Sequence, residues 1–382
     1  MEKPTSGEKF RALLATGRVA NLPTVWSNVL VGFWIASSFV HQFSNSYLEQ
    51  GHLVRFSLLA ITIIVAAFIY VGGCMLGDAQ DIEFDRTHRP DRPIPRGILS
   101  RGTIKFASFS LLTLAIFGLF ISSLLSVVIA VYIEGDDSLM EVISQYTNKT
   151  SLNAFQLHEM VIGLLLAGAV ITYAYNHKKN KIAGLMMMAS CRFLLVILAI
   201  AVTQKTFFSQ FVHSSHRLEP LSLYSAWIDR WMIIYAAIIG VYTLLLSWVA
   251  STESQPGSFS YRKILGGCML LLPFLSFVIN PLIFSQPRAQ YAEWSFIQDS
   301  YVHSYLPPNA GYFYLILAMT VTWILLALKK LNESKPAFVS RALAGFCLID
   351  ATIVAAFSPL VACICVALFA LALLLQRITP AT

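Results

Sequence analysis

The sequence predicts an all-α polytopic membrane protein with about nine transmembrane helices. Three observations predict it. Of 382 residues, 57% are hydrophobic and 12% charged, with a mean hydropathy of +0.67; soluble domains carry about 25% charged residues. The apolar residues fall in blocks of about twenty, the length that crosses a bilayer. Lys and Arg gather at alternate block ends, as they do in cytoplasmic loops.

In chain order the blocks are 23–41, 55–76, 104–133, 158–176, 182–203, 231–250, 264–285, 311–329 and 341–375. The third and last are long for one crossing, and tilt, a kink or an extramembrane extension accounts for such excess. Pro359 marks a kink in the last block, and the sequence leaves open whether that block crosses once or as two short helices. Residues 1–22 contain no apolar h-region with a small-residue cleavage site. They carry Lys3, Lys9, Arg11 and Arg18 and read as a cytoplasmic N-terminal segment. Arg86, Arg89, Arg92, Arg96, Arg101 and Lys105 follow the second block, Lys178, Lys179 and Lys181 the fourth, and Lys329, Lys330 and Lys335 the eighth. With nine crossings all four groups share the cytoplasmic side, while Glu134, Asp136 and Asp137 lie opposite. This bias accounts for the net charge of +7 and calls for no nucleic-acid partner. The whole chain, 1–382, reads as a single integral membrane domain, expected in a bacterial inner membrane because no targeting segment precedes the first block. The longer loops 134–157, 204–230 and 286–310 are expected outside. The six cysteines all fall in apolar blocks and read as small packing residues rather than disulfides or a zinc site. The Met186-Met187-Met188 run reads as core packing.

The chemistry concentrates where the second block ends. Asp78, Asp81 and Asp85 stand at i, i+3 and i+7, which places three carboxylates on one helical face. Carboxylates gathered this way repel unless a cation lies between them, and Mg2+ binds through few carboxylates with phosphate oxygens completing its shell. Behind them runs Arg89-Pro90-Asp91-Arg92-Pro93-Ile94-Pro95-Arg96-Gly97, whose guanidinium groups suit bidentate phosphate binding. Glu83 lies off the aspartate face, where it pairs with Arg86. Arg192 and Asp350 fall inside apolar blocks, where a charge is costly and calls for a partner, a cavity or a ligand. Asn21 and Asn28 are candidates for phosphate or acceptor contact, or for interhelical hydrogen bonding. Lys178 and Lys179 serve either as topology charges or as diphosphate contacts.

The combination of Asp78, Asp81 and Asp85 with the Arg-Pro run resembles the signature of the UbiA superfamily of intramembrane prenyltransferases. Arg18-Val19-Ala20-Asn21-Leu22-Pro23-Thr24, leading to Asn28 and Gly32, resembles that family's entry to its first helix. Tyr173 and Tyr175 with Lys178 and Lys179 resemble the end of its fourth, and Cys191-Arg192 a pair found in some branches. The resemblance implies a helical bundle around a central cavity. Mg2+ held by Asp78, Asp81 and Asp85 would bridge to an isoprenyl diphosphate. Asn21, Asn28, Arg89, Arg92, Lys178, Lys179, Arg192 and Glu253 would bind substrate, and a small, aromatic or other, acceptor within the membrane would receive the prenyl group. Two positions depart from the pattern. Gly77 stands where the family usually has Asn. The second acidic motif is reduced to Glu253, with no aspartate between Asp229 and Asp299. The second departure motivates an alternative, a non-catalytic member that binds or transports a lipid or small molecule. A secondary transporter of unrelated fold, with Asp350 and Arg192 as its intramembrane charges, leaves the Arg-Pro run unexplained.

Overall fold

The computed structural model describes residues 4–41, 48–134, 158–212, 221–251, 266, 268–269, 271–272, 310–331, 333–355 and 358–379. Those residues fold into helices joined by turns. Helix α1 (Ser6–Thr16) leads through Gly17 and Arg18 to a 3₁₀ turn (Val19–Asn21) and then to α2 (Leu22–His41). Helix α3 (Leu48–Gln80) and the short α4 (Ile82–His88) are followed by the Arg-Pro loop and α5 (Arg101–Glu134). Helices α6 (His158–Asn176), α7 (Lys181–Val212) and α8 (Leu221–Ser251) come next. Then follow α9 (Ala310–Leu331), α10 (Lys335–Ala355) and α11 (Pro359–Ile378).

Among the described residues, nine helical segments are long and apolar enough to cross a membrane. The chain is a multi-pass membrane protein, but its nine segments are not the nine blocks read from sequence. The block 341–375 is two helices, α10 and α11. Ser358 is extended (φ −142, ψ 95) and its Oγ accepts the Val361 N–H, while Pro359 opens α11. A residue before proline is driven out of the helical region, and proline suits a helix start, so the break is local and strong. The Gln376 amide donates to the Ser340 carbonyl at 2.9 Å, tying α11 back along α10 as an antiparallel hairpin. Of the block 264–285 only Gly266, Cys268, Met269, Leu271 and Leu272 are described, and all are helical. The outer loop 204–230 is also shorter than expected, because α7 continues to Val212 and α8 begins at Leu221.

Two apolar cores lie side by side. One joins α3, α5 and α6 through Leu58, Ile69, Leu112, Leu119 and Leu166. The other joins α8, α9, α10 and α11 through Tyr235, Tyr242, Leu317, Phe346 and Val361. Helices α2 and α7 contribute to both, with Val25 and Leu198 in the first and Val31 and Val196 in the second. They form the seam of the bundle. Close approach there needs small residues: a Cβ on Gly32 would lie 3.3 Å from the Val196 carbonyl oxygen and from the Ala199 Cβ. The Met186–Met188 run is a correction. Met186 is 54% exposed, whereas Met187 and Met188 are half-buried, so the core-packing expectation fails for Met186. All six cysteines are free thiols.

Candidate functional site

A third, small core anchors the site. Met75 and Ala79 from the end of α3, Ile82 from α4, Ile94 from the Arg-Pro loop and Ile104 from α5 pack together. Burial of Ile94 fixes the middle of the loop under the helix ends. Gly97 closes it with φ +73, a conformation that favours glycine. Ser100 starts α5 by accepting the Thr103 N–H at 3.0 Å, and Arg101 Nε donates to the Ala79 carbonyl at 3.0 Å, satisfying an end of α3. The loop is thereby pinned where its arginines face the carboxylates.

The three aspartates are brought together, though not on one unbroken helix. Helix α3 stops at Gln80, Asp81 sits in the bend with φ −80 and ψ 1, and α4 carries Asp85 onward. Asp78 and Asp85 are buried, and Arg92 lies between them. Its single Nη1 donates to Asp78 Oδ1 and to Asp85 Oδ2, each at 3.0 Å. Arg18 adds its Nη2 at 3.6 Å from Asp78 Oδ1. Asp81 faces the turn between α6 and α7, where Lys178 Nζ lies 2.8 Å from Oδ1 and His177 Nε2 lies 3.4 Å from Oδ2. Lys178 also sits over the Phe84 ring, 4.0 Å from its centroid. Burial pushes the Asp81 carboxyl up, but the hydrogen bonds from His177 and then Lys178 outweigh it and hold the group below its ordinary value. The reverse holds for His177: burial lowers it, Asp81 raises it more, and the net direction is upward.

Sequence reasoning missed two contributors to this cluster. Arg18 counted only as a topology charge and a family resemblance, and His177 was passed over for its lysine neighbours. The signal for His177 was its position four residues after Tyr173. That spacing lets its Nδ1 bond the Tyr173 carbonyl at 2.9 Å and its ring stack on Tyr173, with centroids 4.8 Å apart. Arg18 is the one non-glycine among the described residues with positive φ (47, ψ 44). Holding a residue with a Cβ in that region costs about 1 kcal/mol or more, and such residues concentrate at functional sites.

The other sequence candidates divide. Asn21 is buried beside the cluster and its amide donates to the Tyr70 hydroxyl at 3.2 Å. Arg89 lies at the end of α4, exposed, its N–H bonded to the Asp85 carbonyl at 2.8 Å. Lys179 is exposed next to Lys178. Glu253 lies outside the described residues. Arg192 and Asn28 are not in the aspartate cluster. They form a buried chain at the α2–α7 seam: Arg192 donates to Asn28 Oδ1 at 2.9 Å and to Thr24 Oγ1 at 2.9 Å, and the Asn28 amide donates to Asp350 Oδ2 at 2.8 Å. The Tyr235 hydroxyl donates to Asp350 Oδ1 at 2.9 Å. Phe346 and Tyr70 flank the Arg192 guanidinium, with centroids 4.8 and 5.6 Å away.

Among the described residues, no three His, Cys, Asp or Glu side chains converge as a ready-made metal set. The chemistry of the donors nevertheless fits a hard divalent ion. They are carboxylate oxygens, and one cationic atom, Arg92 Nη1, already bridges two of them as a cation must. Asp78, Asp81 and Asp85 would hold such an ion, which would supply charge stabilisation to a phosphate-bearing ligand.

Fold and site together define a multi-pass helical membrane protein with a carboxylate–cation cluster at one end of its bundle. Residues 25–133, which include that cluster's aspartates and the Arg-Pro loop, match the UbiA prenyltransferase family. Three curated relatives are named digeranylgeranylglyceryl phosphate synthase. The one from Metallosphaera sedula is 39% identical over 54 residues, 14% of this chain and 19% of the relative. That from Methanoculleus marisnigri is 35% identical over 89 residues, 23% and 26% of the two chains. That from Saccharolobus solfataricus is 24% identical over 173 residues, 45% of each. The chain thus matches less than half the length of each of these relatives. A solved structure concerning digeranylgeranylglyceryl phosphate synthase in membranes aligns with 91% of this chain and 99% of its own, at 17% identity and a TM-score of 0.43.

Proposed function

We propose that this chain is a Mg2+-dependent prenyltransferase that moves a prenyl group from an isoprenyl diphosphate to a small acceptor within the membrane. The observation that carries the reading is the cluster of Asp78, Asp81 and Asp85 ringed by Arg18, Arg92, His177 and Lys178. Cleaving the allylic carbon–oxygen bond leaves charge on the departing diphosphate. Preorganised cations aimed at that charge lower the barrier. Arg92 and Lys178 are engaged by carboxylates, and a diphosphate offers both a stronger multidentate acceptor. Arg18, beside Asp78, would add a further cation. The N-terminus and the aspartate loop face the cytoplasm in this reading, in a bacterial inner membrane, and residues 1–382 act as one domain.

The acceptor is either a small aromatic ring or a glyceryl phosphate lipid of the kind for which the three relatives are named. The reduced second motif, with no aspartate between Asp229 and Asp299 and Glu253 as the only acid of the loop 251–263, favours one further reading: a lipid-binding protein without turnover. One experiment separates these. Purified protein in nanodiscs is given isoprenyl diphosphates of varied length, with Mg2+ or EDTA, and with either acceptor class. Diphosphate release that needs Mg2+ and falls at least about a hundredfold in Asp81→Asn supports transfer, and the labelled product names the acceptor. Donor binding with no release in the presence of either acceptor transfers the assignment to lipid binding.

A further inference from the structure

Helix α1 carries an apolar stripe that the fold leaves uncovered. Phe10, Leu13 and the half-buried Leu14 stand at i, i+3 and i+4, the spacing that ordinarily turns toward a core. Here Phe10 is 61% and Leu13 36% exposed, while the residues that α1 does bury, Ala12 and Thr16, lie on a different side of the helix. Lys9 and Arg11 are exposed and flank the stripe, one on each edge. The helix is built to persist by itself. Thr5 and Glu8 form a complete capping box, with the Glu8 N–H on Thr5 Oγ1 at 3.2 Å and the Thr5 N–H on Glu8 Oε2 at 2.8 Å.

Its location narrows the occupant. The first membrane-crossing segment begins at Val19, so α1 ends just where the chain enters the bilayer. At its end, Gly17 packs so closely on α3 that a Cβ there would lie 3.0 Å from Val71 Cγ1 and 3.4 Å from Met75 Cε. At its start, the Glu8 carboxyl is held below its ordinary value, first by the Thr5 N–H and also by Arg96 of the Arg-Pro loop. The helix therefore spans from the end of α3 toward that loop, at the level of the membrane face. A short amphipathic helix with low overall hydrophobicity, an aromatic and leucines on one side and basic residues at the edges lies in the plane of an interface. We propose that α1 is a membrane-surface helix: Phe10, Leu13 and Leu14 insert among acyl chains, while Lys9 and Arg11 bind anionic phospholipid headgroups. This inference is independent of the prenyl-transfer reading. It also gives the left-handed Arg18 a mechanical origin, because α1 and α2 are separately anchored and the joint between them carries the guanidinium to Asp78.

The test uses full-length protein in nanodiscs of phosphatidylcholine alone or mixed with phosphatidylglycerol. A benzophenone amino acid replaces Phe10, Leu13 or, on another side of α1, Glu8, and adducts are identified by mass spectrometry after illumination. Expected are lipid adducts at positions 10 and 13, at least severalfold fewer at 8. Adding Lys9→Glu and Arg11→Glu to the position-10 protein should reduce them severalfold in the anionic nanodiscs. Chromatographic profiles unchanged from the parent protein verify that each variant is folded. Adducts from positions 10 and 13 to the chain itself, or to a second copy, overturn the proposal. So does the absence of adducts in folded protein, and adducts indifferent to both lipid charge and the double substitution overturn the anionic headgroup assignment.

Discussion

At the scale of the residue, His177 has the most informative surroundings. One ring nitrogen, Nδ1, is engaged by the Tyr173 carbonyl and the other, Nε2, faces the Asp81 carboxylate. Two oxygen acceptors leave no good place for a neutral ring, which has only one N–H. Burial works against the charge, yet the Asp81 bond prevails and the imidazole titrates above its ordinary value of 6.5. The signs follow from linkage. The raised His177 contributes stability that is complete below pH 6.5 and is lost as pH rises through its folded value. The depressed Asp81 contributes stability present above the ordinary carboxylate value of 3.8 and lost as pH falls through its lower, folded value. Together they favour the fold between those limits. Histidine NMR of the metal-free protein should place the His177 midpoint above 6.5, and Asp81→Asn should bring it down. A midpoint unchanged by Asp81→Asn rules out the pair as its cause.

At the scale of the element, the turn between α6 and α7 presents His177 and Lys178 to Asp81 from the helix pair packed beside α3, and a glycine sets its depth. A Cβ on Gly184, in the first turn of α7, would lie 2.9 Å from the His177 carbonyl oxygen and 3.2 Å from its Cα. Both are backbone atoms, so the turn itself must yield. Gly184→Ala is expected to lower stability by about 1–3 kcal/mol, despite the better helix propensity of alanine. It should also move the His177 NMR midpoint back toward 6.5 as the ring leaves Asp81. Thermal unfolding in one detergent and the histidine titration together check this; a stabilised protein with an unmoved midpoint contradicts it. The acids of the site were legible in sequence because they lie within eight residues of one another, close enough to stay together across the bend between α3 and α4. Their cations were legible only in part. Arg92 belongs to the same local motif, whereas His177 and Arg18 reach the cluster from 96 residues after Asp81 and 60 before Asp78, and no period links elements that distant. The α10–α11 break has the opposite lesson: Ser358-Pro359 is a strong local stop, but nearly continuous apolar composition on both sides hides a hairpin inside one hydrophobic block.

At the scale of the whole molecule, two apolar cores meet along α2 and α7, and the only charges described inside that seam are Arg192 and Asp350. Composition announced both as costly, and their joining through Asn28 was beyond its reach, because 164 and 322 residues separate Asn28 from its two partners. The arrangement makes α2 a polar splice. Arg192 from α7 holds Thr24 and Asn28, Asn28 holds Asp350 from α10, and Tyr235 from α8 closes the far side. Four helices drawn from both cores are thus registered by directional bonds where apolar contacts alone would allow sliding. Removing one charge of such a buried arrangement leaves the other uncompensated, at a cost of about 3–5 kcal/mol. Arg192→Met and Asp350→Leu should therefore each lower the unfolding temperature sharply, while the double substitution should cost clearly less than the sum of the two. The coupling is read from a double-mutant cycle of unfolding in one detergent. Additive losses would mean that Asn28 insulates the two charges rather than linking them, and the seam would then owe its register to close packing at Gly32 instead.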